Sequence, residues 1–439
     1  MSNTPIQTSR SALISGASIA GPTLAYWLHR YGFDVTVVER AAAVRSGGYP
    51  IDIRGTAMGV VERMGLRPQV EAAHIATRDL TFVDAMGKVI GSIPIYDVTV
   101  NEAGRDVELP RGELTTMLYG LTRDSAVRYR FKDSIEALED DGVGVDVRFA
   151  SGARQRYDVV IGADGIHSNT RRLAFGPEEP FSHYLGSTFN IFSMPNDLGL
   201  SHGAIVYAEA GRAAGVLAVR DSPDLFVFLV FGTERPPFGA HPDKAEQIRR
   251  TAAVFAADGW EVPRLLDALR RADDLYFDTV SQIRMPGWSK GRVSLVGDAA
   301  FAPSFRSGQG TSLALVGAYV LAGELAAHDD PANAFASYER IMRPYVEANQ
   351  ALATKDQASL LFPRTQQDLD ARNRALASFK ATRQDDESSQ HERAVHNALA
   401  LPGYEGLEQN AAGRTSYHAD RSPALKLVTQ ATAGASRRK

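Results

Sequence analysis

Between residues 12 and 40 the period of the apolar positions changes from segment to segment. "ALIS" is a short, nearly all-apolar run and "GASIAG" a turn of small residues. "TLAYWLHRYG" spaces its apolar side chains for a helix that Gly32 would stop, and "DVTVVER" alternates like a strand. Pro22 suits the first helical turn, where its missing N–H costs nothing. The pattern predicts strand, turn, helix, strand, which is half of a βαβ unit.

Further along, "LTFVDAMGKVIGSI" has the look of a hairpin with its turn near Asp84 to Gly87, and "RGELTTMLYGLT" reads as a helix. Residues 127–161 read as several short strands ending in the apolar "YDVVIGAD". From 180 to 284 the texture changes. "STFNIFSM", "AIVYAE", "AGVLAV" and "LFVFLVF" are strand-like and separated by Gly, Asp and Pro, and two helical stretches follow, so an inserted antiparallel sheet with helices is expected. "GRVSLVGDAA" returns to a buried, parallel-type strand. Beyond Asp330 the chain is mostly helical, with a kink expected at Pro344. The final stretch, rich in Ala, Gly, Ser and Arg, has little periodicity and reads as a mobile tail. The longest nearly uncharged stretch, Thr311 to Gly323, is too short to span a bilayer and reads as a buried helix.

Composition narrows the classes. A chain of 439 residues has room for two or three domains, and 44% hydrophobic with 23% charged residues is ordinary for a globular protein. A net charge of -4 gives no reason to expect nucleic acid as a partner. With no cysteine there are no disulfides, iron–sulfur clusters or thiolate zinc sites, which fits a reducing compartment. The polar start and the short apolar run after it lack the form of a signal peptide, so the expectation is a cytoplasmic protein without a membrane span.

Three glycine-bearing loops follow predicted strands. "GASIAG" is one residue off the dinucleotide fingerprint, with Ser18 in place of the middle glycine, and Glu39 closes the second strand about 20 residues on, where an acid accepts the hydroxyls of an adenosine ribose. "GADGIHSNTRR" places Asp164 after an apolar strand, either as a ligand-facing loop or as a strand-end turn that bonds its own backbone. In "GDAAFAPSFRSGQG", Asp298 closes a strand, and Gly308, Gln309 and Gly310 open a helix whose free N–H groups favour negative charge. Two other motifs fail, one on a residue and one on spacing. The nucleophile elbow G-x-S-x-G needs glycine where Ala20 stands. "HERAVH" separates His391 and His396 by five residues, roughly 140° apart on a helix and so off the zinc H-E-x-x-H face; a solvated face and no metal are expected.

The order and spacing of these loops, with Arg111 of "RGEL" between the first two, resemble the single-component FAD-dependent aromatic hydroxylases, the class A family typified by para-hydroxybenzoate hydroxylase and including tetracycline-inactivating enzymes. The resemblance covers roughly residues 11–350. It implies an α/β fold with an α+β insertion: a Rossmann-like FAD-binding domain in two parts, 1–179 and 285–350, around a substrate-binding β-sheet domain at 180–284. A helical region at 351–404 and the tail at 405–439 would follow. It implies that Gly16, Ser18, Ile19, Ala20 and Gly21 hold the pyrophosphate, with Glu39 and Arg40 at the adenosine ribose. Arg111, Asp164 and Asp298 would contact the phosphates and ribityl chain, and Gly308, Gln309 and Gly310 the pyrimidine edge. The loop "GGYPIDIRG" would run beside the ring, with Arg54 near it. Substrate candidates are Phe189, Tyr207, Phe226, Phe228 and Pro303, with Phe192 a further aromatic wall. This chain departs from the family at Phe301, often histidine, and at Phe305 and Arg306, where proline and a small or apolar residue are common; with Arg54, these three are the candidates for side chains near the flavin and its substrate.

What the resemblance implies chemically is an FAD monooxygenase. NAD(P)H, NADPH favoured over NADH, reduces the flavin. O2 then forms a C4a-hydroperoxide that delivers one oxygen atom to an electron-rich aromatic or polyketide-like small molecule. No side-chain catalyst is assigned, because the cofactor carries the chemistry. An oxidase, dehydrogenase or reductase of the same fold remains open, as does a non-catalytic flavin-binding redox sensor; the oligomer is expected to be a monomer or homodimer. A halogenase is disfavoured, since Trp27, Trp260 and Trp288 are widely separated.

Overall fold

A computed structural model describes residues 9–45, 47–95, 106–219, 222–234, 243–354, 358–378 and 387–408. Six strands form one sheet in the order Ser289–Lys290, Val293–Leu295, Val159–Gly162, Ser11–Ser15, Asp34–Glu39, Arg128–Phe131. All neighbours are parallel except the hairpin at the 289–290 edge. Parallel strands covered on both faces need apolar residues at successive positions, which is why "ALIS" and "VVIG" read as runs rather than alternations. Ala12, Ile14, Val159 and Ile161 pack towards helices Ala20–Arg30 and Gly310–Ala327. Leu13, Val38 and Val160 pack towards a three-stranded antiparallel sheet made of Ile135–Asp140, Val145–Phe149 and Arg154–Tyr157.

Helix Gly310–Ala327 is buried at every position from Thr311 to Leu325, so it lies inside the molecule, against the Ala20–Arg30, Thr56–Arg63 and Pro331–Leu352 helices. A helix apolar on all sides belongs in such a place. Among the described residues it is the one helix long and apolar enough to cross a membrane, and here it is a core helix. Pro331–Leu352 continues through Pro344. Residues 397–408 pack back onto the core: Tyr404 donates to Glu324 at 2.5 Å, and its ring fills the space beside Gly323. The tail expected from 405 lies outside the described residues from 409 on.

A second sheet of seven strands runs in the order Tyr276–Ile283, Ser182–Pro195, Asp224–Gly232, Arg212–Ala218, Gly203–Glu209, Asp79–Val83, Val89–Pro94. The hairpin expected around Asp84 to Gly87 forms, and it extends this sheet through the parallel pairing of 203–209 with 79–83. Its apolar residues Leu80, Phe82 and Ile93 are covered by Leu376 of helix Gln366–Ala377, which explains why the hairpin joins this layer. Along Asp224–Gly232 the side chains alternate. Leu225, Val227, Leu229 and Phe231 pack with the residues of Lys244–Phe255 and Val262–Arg271, each fully buried aliphatic contributing roughly 1.5–3 kcal/mol. Phe226, Phe228 and Val230 take the opposite face, which looks towards the first sheet's loops.

Candidate active site

Because strands Ser11–Ser15, Val159–Gly162 and Val293–Leu295 are parallel neighbours, the loops that follow them leave from the same edge. The first two interlock. A Cβ on Gly16 (φ +109) would stand 2.4 Å from the Ala163 carbonyl oxygen, and one on Gly21 would stand 1.9 Å from that of Gly16. Glu39 is fixed at the end of its strand, accepting from the Ala17 and Ala41 N–H groups at 2.9 Å each, while Arg40 is exposed. Ile19 and Ala20 are buried and open helix Ala20–Arg30; Ser18 Oγ accepts from Arg111 at 2.8 Å. Asp164 accepts from Ser168 Oγ and, at 2.9 Å, from both the backbone and the hydroxyl of Thr170. Its carboxylate thus organises its own loop.

The third loop brings Asp298 beside Gly310, whose added Cβ would lie 3.7 Å from Oδ1. Asp298 keeps an open surface although it lies deep in the molecule; burial raises its carboxyl above the ordinary range, with the Arg111 cation opposing. A side chain both open and enclosed lines an internal cleft. Arg54, almost buried, pairs with Asp52 at 2.9 Å, and its backbone N–H donates to Ser312 at 3.1 Å. An added Cβ on Gly308 would lie 3.5 Å from the Arg54 guanidinium, so this cation faces the start of the core helix. Across the 50–53/107–110 strand pair Asp52 stands opposite Glu108, whose pKa burial and the Asp52 charge push up to about 8.

The polar groups at this place match those of FAD. Gln309 is fully buried, and among the described residues neither its amide oxygen nor its amide nitrogen has a partner; the Arg54 Nε is likewise unpaired there. Buried amides are ordinarily satisfied. Unpaired polar groups beside the core helix N-terminus suit the polar pyrimidine edge of a flavin, and the interlocked loops with Arg111 suit a pyrophosphate. The residues present fit the group.

On the far side of the cleft, aromatic rings converge. Phe305 stacks on Phe189 at 4.9 Å and lies 6.4 Å from Tyr49 and 6.5 Å from Phe228; Tyr276 is 5.7 Å from Phe189. Phe226 belongs to the same cluster. Pro303 is buried, its carbonyl accepting from Gln282 at 3.0 Å. Three expected residues are elsewhere. Tyr207 and Phe192 point to the helix-covered face, Tyr207 bonding Glu209 at 3.0 Å. Phe301 turns into the core, 4.7 Å from Trp288 and against Gly317.

A charged chain missed in the sequence reading joins the loop after Gly162 to this cluster. Tyr276 donates to Asp278 at 2.9 Å, Asp278 lies 3.1 Å from His167 Nε2, and His167 Nδ1 is 2.9 Å from Glu178. Burial alone would lower the His167 pKa, but its bonds to Asp278 and Glu178 raise it to about 9. Tyr276 is held neutral by burial and by the Asp278 charge. The local signal was the i, i+2 spacing of Tyr276 and Asp278, which puts both on one face of a strand. "HERAVH" needs a correction. His391 is exposed, but His396 is buried, with its backbone against Gly55 and its carbonyl accepting from Tyr345 at 3.1 Å. Burial, then the Arg54 cation, lowers its pKa to about 3, so the ring is neutral.

Comparison with known proteins agrees with this geometry. The FAD binding domain family matches residues 10–353, and the chain belongs to that family. An uncharacterized Mycobacterium tuberculosis protein is 43% identical over 351 residues, 79% of this chain and 93% of its own. A flavin-dependent monooxygenase from an unknown prokaryotic organism is 40% identical over 78% of this chain and 88% of its own. The crystal structure of the tetracycline destructase Tet(55) is similar at a TM-score of 0.77, with 36% identity, over 90% of this chain and 99% of that one.

Proposed function

We propose that this member of the FAD-binding family is an FAD-dependent monooxygenase that takes electrons from NAD(P)H and transfers one atom of O2 to an electron-rich aromatic or polyketide-like molecule. The observation that carries the reading is that the three strand-end loops leave one edge of the first sheet, with Asp298 open in the third, and that Phe305 of that same loop stacks into the aromatic face of the seven-stranded sheet. When bound, FAD supplies the two-electron chemistry that couples NAD(P)H oxidation to O2, one oxygen atom entering the substrate and the other leaving as water.

The chain's own residues bind, orient and exclude. Gly16, Ser18, Gly21 and Arg111 hold the pyrophosphate, and Glu39 accepts the ribose hydroxyls. Asp298 orients the ribityl chain. Arg54, Gln309 and the N–H groups at the start of helix Gly310–Ala327 stabilise negative charge at the pyrimidine edge. Phe305, Phe189 and Phe228 pack the substrate ring and keep water from the reacting atoms. Tetracycline, which gives Tet(55) its name, is a fused-ring phenol and enol, and a substrate of that kind suits this stack of rings. The cysteine-free sequence supports a cytoplasmic enzyme.

The test is purification followed by flavin quantification, then NADPH and NADH consumption with a panel of aromatic and polyketide compounds, product mass and peroxide. The expected result is bound FAD, stimulated oxidation and a product heavier by one oxygen. Protein that never takes up FAD would sink the whole reading. Holoenzyme that yields no oxygenated product would leave the FAD site standing and remove the monooxygenase.

A further inference from the structure

Arg306 occupies the single turn Phe305–Ser307 that leads into Gly308–Gly310. Its guanidinium donates to Ser187 Oγ at 2.5 Å and lies 5.9 Å from the Phe362 ring. Ser187 has the same parity as Phe189 on strand Ser182–Pro195, and Phe362 packs on Ala208, Ala213 and Val230. All of these belong to the cleft face of the sheet, so Arg306 extends over that face beside the Phe305 stack.

What lies against the guanidinium among the described residues is neutral or of like charge. Among the described residues no carboxylate lies within 4.0 Å of it, in a chain where most buried or half-buried arginines have one. Burial, and then the nearby Arg364 cation, lower its pKa to about 10. Among the described residues the Arg364 side chain reaches only the Leu185 carbonyl, at 3.5 Å. A partly desolvated cation without a counter-charge is costly, and a guanidinium offers five N–H donors in a planar fork that matches an oxyanion.

We propose that Arg306 forms an anion subsite of the substrate cleft, so that the substrate is an aromatic molecule bearing a delocalised oxyanion, a carboxylate or an ionised enol, beside the ring that stacks on Phe305. The proposal rests on the reading that the aromatic cleft binds substrate. It adds the charge of that substrate and the residue that recognises it. Arg364 adds positive potential at the same end, and Ser187 holds the guanidinium in orientation.

The experiment is calorimetric titration of FAD-saturated enzyme at about pH 7.5 with two matched pairs of probes. 3-Hydroxy-2-naphthoate and its neutral carboxamide test the carboxylate; 2-hydroxy-1,4-naphthoquinone, ionised at this pH, and its 2-methoxy ether test the enolate. The wild type is expected to bind the anionic member of at least one pair about 10-fold more tightly than its partner, a charge-assisted contact's worth of discrimination. Arg306→Gln should reduce that ratio to about 3-fold or less, and Arg306→Lys should restore part of it, with FAD content unchanged in both. The pair that responds identifies the oxyanion. The subsite is refuted if the wild type does not discriminate within either pair, if no probe binds at millimolar concentration, or if the ratio survives Arg306→Gln. It is also refuted if the variant's loss falls on the KM for NAD(P)H instead. Binding is read without turnover, so an enzyme that discriminates but never oxygenates overturns the proposed activity and leaves the subsite. One that oxygenates neutral and anionic aromatics alike does the reverse.

Discussion

His167 connects the loop after strand Val159–Gly162 to the seven-stranded sheet by charge, and pH exposes how much it contributes. Both ring nitrogens face carboxylates, at 2.9 Å for Glu178 and 3.1 Å for Asp278, and only the imidazolium can donate from both. Its pKa rises from 6.5 to about 9. At about 1.4 kcal/mol per pKa unit the ceiling is about 3.4 kcal/mol. The side chain is 35% exposed, so solvent and salt reduce the contribution to roughly 1–2 kcal/mol. A raised folded-state pKa means that this stability is fully present below about pH 6.5 and is lost as pH rises through about 9. The perturbation is His167→Gln, which is neutral at every pH. With a melting entropy of roughly 2.1 cal/mol/K per residue, a chain of 439 residues converts 1–2 kcal/mol into about 1–2 °C. Melting curves of FAD-loaded wild type and variant from pH 6 to pH 10 should show the wild type higher by that amount at the acid end, with the two meeting near pH 10. A difference that is constant with pH, or that widens as pH rises, would refute the charged bridge.

Phe301→Ala should act on stability rather than on substrate choice, because the ring is fully buried against Trp288 and Gly317. The expected loss is about 3–5 kcal/mol in a thermal melt, with the relative rates across an aromatic substrate panel unchanged; a changed substrate order with an unchanged melt would return Phe301 to the cleft. Gln309→Leu removes a buried amide that none of the described residues satisfies. If FAD satisfies it, flavin titration of the apoprotein should show affinity about 10-fold weaker, while the apoprotein itself melts no lower. Unchanged FAD affinity with a more stable apoprotein would make Gln309 a packing defect instead.

The three loops were legible because each is local: a glycine turn directly after an apolar strand is written in consecutive residues. The second sheet was legible as strands, but the face each ring would take was not. With helices on one face and the cleft on the other, both parities are apolar, so nothing in "AIVYAE" says that Tyr207 turns away from the side Phe226 and Phe228 take. Phe301 was misplaced for a related reason. Its ring occupies the space left by Gly317 on the core helix, a long-range fit that no local period records. His396 is buried because Gly55 and Tyr345 receive its backbone, while its own helix shows little apolar patterning. The same distinction separates His167 from Arg306. His167 draws its meaning from Asp278, 111 residues away, and was invisible until the chain was folded. Arg306 stood out in the sequence as a departure from its family, and among the described residues folding put neutral groups and a second arginine around it rather than a carboxylate. A residue whose partner is another part of the chain becomes intelligible in the fold. One left without its counter-charge directs attention to the ligand that would supply it.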